Sequence, residues 1–267
     1  MAFRIHNFTD NDDVRVLDNK GPFQVIEYQR DLSVDRSDAM NAWFCKEMNV
    51  KPRQLVCDLS QTSGVVLQKG AMQWMLGNVN ATTGVKGVGD LLGKALRSKV
   101  TNESAIKPEY VGEGIMTTEA SFKHLILVDV GEWGGSLVME DGLFLACENS
   151  LKSTVVMRSN LSSAVAGGEG MFNLALKGQG VACLESVVPR EELIEIELDN
   201  DVVKIDGNMA LAWSASLNFT VERSGKSLLG SAVSGEGLVN VYRGSGRVLM
   251  APLRGGLMNT GATPESV

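Results

Sequence analysis

Two histidines, four cysteines and a recurring glutamate are the side chains of this sequence whose types and spacing could support chemistry. Transition-metal sites on double-layered β folds gather several neutral imidazoles with a carboxylate, and His6 with His124 cannot supply a three-histidine set. His124, beside Lys123, reads as a strand-edge residue, and no metal or cofactor is expected. Cys45, Cys57, Cys147 and Cys183 form no Cys-x-x-Cys pair and stand among apolar neighbours such as Val56, Ala146 and Ala182. They read as buried free thiols of a reducing compartment. No Gly-x-Ser-x-Gly elbow occurs. Gly87-x-Gly89 with Gly93-Lys94 has the look of a phosphate loop, but that loop needs Gly in place of Val88 and Ser or Thr in place of Ala95. The dinucleotide fingerprint in turn needs Gly at Leu92.

Glu103, Glu169 and Glu236 recur at nearly equal intervals along the chain and are the candidate repeat-equivalent carboxylates. If they met near a common axis, like charge would raise at least one pKa or draw in a cation. If each serves the amides of its own turn, the recurrence reflects shared local geometry, and this second arrangement is the expected one. No catalytic residue is assigned.

The elements that would carry these residues are read from the glycines. Gly112/Gly114, Gly178/Gly180 and Gly244/Gly246 are equally spaced Gly-x-Gly pairs, and a missed repeat would mis-assign the whole fold. Gly142, in Val138 to Ala146, and Gly207, in Val203 to Ala212, mark a second recurring block, of which Gly70 is a degenerate first copy. All nine glycines are expected at structural turns, because glycine adopts the positive φ of a tight hairpin. Alternation in Leu193 to Leu198 puts Ile194, Ile196 and Leu198 on one face of a half-buried strand. One short helix is expected in the first repeat, at 84–99, with Val88, Leu91, Leu92, Ala95 and Leu96 on one stripe and Asp90 as its N-cap.

The pattern predicts an all-β fold of three internal β-sandwich repeats of about 66 residues around a pseudo-threefold axis, forming one cooperative body. The divisions are an N-terminal segment at 1–49 closing onto the first repeat, repeat 1 at 50–114 with the helical insertion, repeat 2 at 115–180, repeat 3 at 181–246, and a closing strand and tail at 247–267. The 12 methionines, among them Met72, Met75, Met139, Met157, Met171 and Met209, sit in apolar runs and are expected to fill core.

With 25 Lys+Arg against 32 Asp+Glu the net charge is −7, which argues against a nucleic-acid partner. At 44% hydrophobic and 21% charged residues the chain is neither disordered nor collagenous. The apolar run Leu125 to Val128 lies between His124 and Asp129, and no apolar run approaches bilayer length, so no membrane span is expected. Thr9 to Asp13 offers no apolar leader, and a cytoplasmic protein is expected.

The ordered combination of Gln54 to Asp58, Lys69 to Met72, the glycine-rich Gly84 to Leu96 and the three Glu/Gly-x-Gly blocks resembles the altered inheritance of mitochondria protein 24 family over nearly the whole chain. The resemblance implies three β-sandwich repeats similar to the tryptophan RNA-binding attenuation protein. The family's mitochondrial branch is linked to inner-membrane organisation, which implies scaffolding and carries no catalytic motif. The chain departs from that branch in showing no transit peptide, and Asn41 to Lys46 has no place inside the repeat. The expected function is a non-enzymatic structural or scaffold protein that binds a protein partner or its own copies. The alternatives are an RNA- or ligand-binding module and a carboxylate-dependent enzyme.

Overall fold

The computed structural model describes residues 3–82, 107–157, 172–206, 209–223 and 238–253. Its strands are β1 (Val14–Lys20), β2 (Phe23–Tyr28), β3 (Arg53–Asp58), β4 (Val65–Leu67), β5 (Met72–Thr82), β6 (Glu109–Thr118), β7 (His124–Asp129) and β8 (Ser136–Met139). They continue with β9 (Phe144–Glu148), β10 (Lys152–Met157), β11 (Phe172–Lys177), β12 (Val181–Ser186), β13 (Ile194–Asp206), β14 (Ala210–Ser214), β15 (Asn218–Arg223) and β16 (Leu238–Met250). Every strand pairing among the described residues is antiparallel.

One sheet runs β1-β2-β3-β6-β4-β9-β12-β7 with β5 on β6, and β7 returns beside β1 and β3, so this sheet is nearly closed. The other runs β10-β11-β8-β14-β16-β13 with β15 on β16. The core lies in three layers between neighbouring strands of these sheets. Phe23, Leu55, Cys57, Val65, Met116 and Cys183 fill the first. Val128, Leu137, Met139, Phe144, Leu176 and Leu249 fill the second. In the third, Trp213 stacks on Phe219 at 5.5 Å and meets Tyr242 edge-on at 5.3 Å.

Some local devices recur along the chain. Asp58 and Asp129, at the ends of β3 and β7, accept hydrogen bonds from the backbone N–H of Ser60 and Gly131 and so start short 3-10 turns. A one-residue bulge falls at Met72/Trp74, at Phe144/Ala146 and at Ala210/Ala212. The Ser150 hydroxyl donates to the Gln179 carbonyl at 2.9 Å, and at the corresponding place further along the chain Ser216 donates to the Ser245 carbonyl at 2.8 Å.

The glycines correct part of the sequence reading. Gly112 and Gly114 lie inside β6, and Gly244 and Gly246 inside β16, where hairpin turns were expected. Gly178 and Gly180 join β11 to β12, which belong to different sheets. Gly70 and Gly142 do sit in tight connections, yet β4 does not pair with β5, nor β8 with β9. At Gly112 the physical need is close backbone approach at the point where β6 changes partners. Tyr110 of β6 pairs with β4 and Ile115 with β3. Between them a Cβ on Gly112 would stand 2.0 Å from the Asn78 carbonyl oxygen. Gly207 lies outside the described residues.

The helix at 84–99 also lies outside them. The α-helix that is described, α1 (Ala39–Glu47), belongs to the N-terminal segment, in the stretch that the repeat could not accommodate. None of its residues is buried, and Trp43 is 56% exposed. Met139 is core as expected, whereas Met75 stands at a sheet edge and is exposed. No described helix is long and apolar enough to cross a membrane.

Candidate functional site

The strongest concentration of buried charge lies where β2 and β3 meet the segment that leads back from α1. Arg53 opens β3 and is almost wholly buried, a placement that a guanidinium tolerates only when paired. Its Nη2 lies 2.6 Å from the Glu27 carboxylate and donates to the Asn49 carbonyl at 3.0 Å, while Nη1 donates to the Lys51 carbonyl at 3.2 Å. Lys51 approaches the same carboxylate at 3.3 Å, and Gln29 donates to it at 2.9 Å. Burial works to raise the Glu27 carboxyl. The Gln29 hydrogen bond and the charges of Arg53 and Lys51 outweigh it and hold Glu27 below its ordinary 4.5.

Polar side chains extend this network along the strands. Tyr28 donates its hydroxyl proton to Gln54, which donates to Gln73 and to the Thr118 carbonyl. Ser121 donates to Glu185 at 2.7 Å, and Lys123 reaches the same carboxylate at 2.8 Å. His124 begins β7 opposite Ser186. Burial and the nearby Arg53 cation hold its imidazole neutral, below the usual 6.5, against the opposing pull of Glu191 and Glu27.

A cleft of about 250 Å³ opens beside this network, between α1 and the ends of β2 and β3. Tyr28, Val34, Ala42, Cys45, Pro52 and Phe122 supply most of its apolar wall, and Lys51 reaches its rim. Cys45 is half-buried here, unlike the core thiols. Burial pushes Cys147 up to about 12 and drives Cys57 and Cys183 upward as well, so these three are protonated and chemically inert in place.

The arrangement can clamp and neutralise. Among the described residues each displaced carboxylate, Glu27, Asp31, Asp35, Asp58 and Glu222, is displaced downward. No group of three or more His, Cys, Asp or Glu among the described residues is placed to hold a metal ion. Glu103, Glu169 and Glu236 lie outside the described residues, in the stretches between β5 and β6, β10 and β11, and β15 and β16. The Glu27–Arg53 network was missed in the sequence. Its one signal was charged and amide residues, Glu27, Arg53 and Gln54, inside otherwise apolar runs.

Fold and site together define an antiparallel all-β protein with internally neutralised buried charge. The chain belongs to the mitochondrial biogenesis AIM24 family, whose pattern matches residues 47–253. It is 28% identical over 204 residues to an uncharacterized protein of Streptococcus pyogenes serotype M6, a match covering 73% of this chain and 79% of that one. The crystal structure of another Streptococcus pyogenes protein superposes with a TM-score of 0.55 at 22% identity, covering 90% of this chain and 94% of the other, and establishes a shared fold.

Proposed function

We propose that this protein is a non-enzymatic structural or scaffold protein, built from three copies of one six-strand unit and acting by associating with its own copies. The unit reads as a first strand, a 3-10 turn or bend, a second strand, a bulged third, a fourth, and a fifth and sixth joined at the Gly-x-Gly. Spacing supports it: β9, β10 and β11 begin at 144, 152 and 172, and β14, β15 and β16 begin at 210, 218 and 238, the same interval further on in each case. Pairing supports it too. In each proposed unit the sixth strand pairs with the first and third, and the fifth with the second and fourth. In this proposal the units run 53–118, 124–186 and 194–250, because the sixth strand follows the Gly-x-Gly, so the sequence boundaries at 114, 180 and 246 move to the ends of those strands. The units stand in series, with no closed threefold ring, because β13 and β5 do not pair among the described residues.

The observation that carries the functional reading is the contrast between satisfied chemistry and unsatisfied edges. The buried charges are paired inside the molecule, while Met75, Ile194 and Val202 lie exposed on strands at sheet edges. Edges of that kind invite strand addition. The proposal includes a cytoplasmic setting, supported by the three buried free thiols. Light scattering on the eluting protein should give a mass above the 28.7 kDa of one chain. A monomer at every concentration, or turnover lost on removing a named side chain, refutes the reading. The cleft beside Lys51 favours a small-ligand module as the second reading, and its volume falls just below the usual range for such sites.

A further inference from the structure

We infer that copies of this chain join head to tail, with the second half of β13 of one copy pairing antiparallel with the first half of β5 of the next, in the register Val202 opposite Leu76, Val203 opposite Met75 and Lys204 opposite Trp74. The inference rests on the self-association reading above and names its surface and register.

Two strand pairings inside the chain set this register. β4 pairs with β9 as Val65 opposite Glu148, Val66 opposite Cys147 and Leu67 opposite Ala146. β8 pairs with β14 as Leu137 opposite Ser214, Val138 opposite Trp213 and Met139 opposite Ala212. The two are the same junction. Val65 and Leu137 each stand five residues before a turn glycine, Gly70 and Gly142, and Glu148 and Ser214 each stand two residues past the bulge position, at Ala146 and Ala212. Counted in the same way, Val202 stands five residues before Gly207, and Leu76 stands two past Trp74 of the first bulge. These positions define a third junction whose two halves lie at opposite ends of the repeat series.

Among the described residues neither half is paired. β13 is the terminal strand of its sheet, joined to β16 alone, and β5 is joined to β6 alone. Their side chains show what is missing. Val65 and Leu137 are 0% exposed, and the equivalent Val202 is 43% exposed; Cys147 and Trp213 are 3% exposed, and the equivalent Met75 is 43% exposed. Val202 and Met75, whose equivalents are core at both internal junctions, are therefore surface at the two ends, while Trp74 is half-buried with Phe8 edge-on at 5.3 Å. The fitting occupant is a second copy, because the β13 edge needs the strand that the same chain displays on β5. Such an interface is heterologous, so it grows a ring or a filament.

Cysteine cross-linking tests the register. In a Cys45→Ser background, Val203→Cys and Met75→Cys in one chain should give, on mild oxidation, a ladder of covalent multimers. Mixing chains that carry one substitution each should give dimers and nothing larger, since opposed residues of an antiparallel pair lie within disulfide reach. Moving the second cysteine to Gln73 should abolish the ladder. A disulfide closed within one chain overturns the second copy as occupant. A multimeric mass without the ladder, in variants that keep the parent's thermal transition, overturns this junction and leaves self-association standing. A monomeric parent protein removes both.

Discussion

At the scale of single residues, the ion pair of Arg53 with Glu27 is the feature most sensitive to change. Removing one member of a buried pair leaves the other charge without compensation, at a cost of about 3–5 kcal/mol. Arg53→Ala should therefore lower the unfolding free energy obtained from urea titration by an amount of that size, and an unchanged value would show that the pair is not buried in solution. Acid sensitivity tests the same site. The Glu27 carboxyl is held below its ordinary 4.5 in the folded state, so the unfolded chain takes up the proton first as pH falls. Its stabilisation is complete above about 4.5 and is lost as pH drops through the lower, folded value. Glu27→Gln should lower the midpoint at neutral pH and remove that residue's share of the acid slope. Urea titrations across the acid range would show equal slopes if Glu27 carried none of it.

At the scale of elements, two glycines separate conformational strain from steric conflict. Gly142 has φ near 81° with no atom within 4 Å of an added Cβ, so Gly142→Ala should cost only the left-handed strain of about 1–2 kcal/mol. Gly112 combines φ of 121° with the Asn78 carbonyl 2.0 Å from the added atom, inside a strand that cannot move without breaking its pairing with β5. Gly112→Ala should cost more than Gly142→Ala, and the reverse order in denaturant titrations would show that the crossing backbones are not in close approach. Helix α1 makes the opposite case. Trp43 and Phe44 meet edge-on at 5.1 Å and both are exposed, so replacing both with serine should shift stability by no more than about 0.5 kcal/mol per residue. A larger loss would mean that this face is covered.

For the whole molecule, the decisive feature is that neighbouring segments share sheets. β4 of the first proposed unit is hydrogen-bonded to β9 of the second, and β8 of the second to β14 of the third. Residues 125–128 serve two core layers at once, with Leu125 and Leu127 facing one and Ile126 and Val128 facing the other. Unfolding one unit would strip the next of a strand and one wall of its core. Calorimetry should therefore give a single thermal transition whose calorimetric and van't Hoff enthalpies agree. Two resolved transitions would show that the units fold separately.

The sequence alone determined that this chain is β-rich, that its glycine pairs recur at a fixed interval and that it carries the family pattern, because strand alternation and positive-φ requirements are local properties written in neighbouring residues. It did not determine what the Gly-x-Gly pairs do. A hairpin turn and a crossing of two close backbones demand the same absent side chain, and only Asn78 lying against Gly112 tells them apart. The Glu27–Arg53 pair was likewise out of reach, since its partners stand on different strands with α1 between them in the chain, and a charge within an apolar run looks the same whether its partner is protein or water. Helix α1 has an exposed apolar stripe at Met40, Trp43, Phe44 and Met48 and belongs to no repeat. The open edges of β5 and β13 were decided by tertiary structure as well. Val202 and Met75 carry the same apolar character as their buried equivalents, and burial is a property of what stands opposite a strand, which the strand's own residues do not encode.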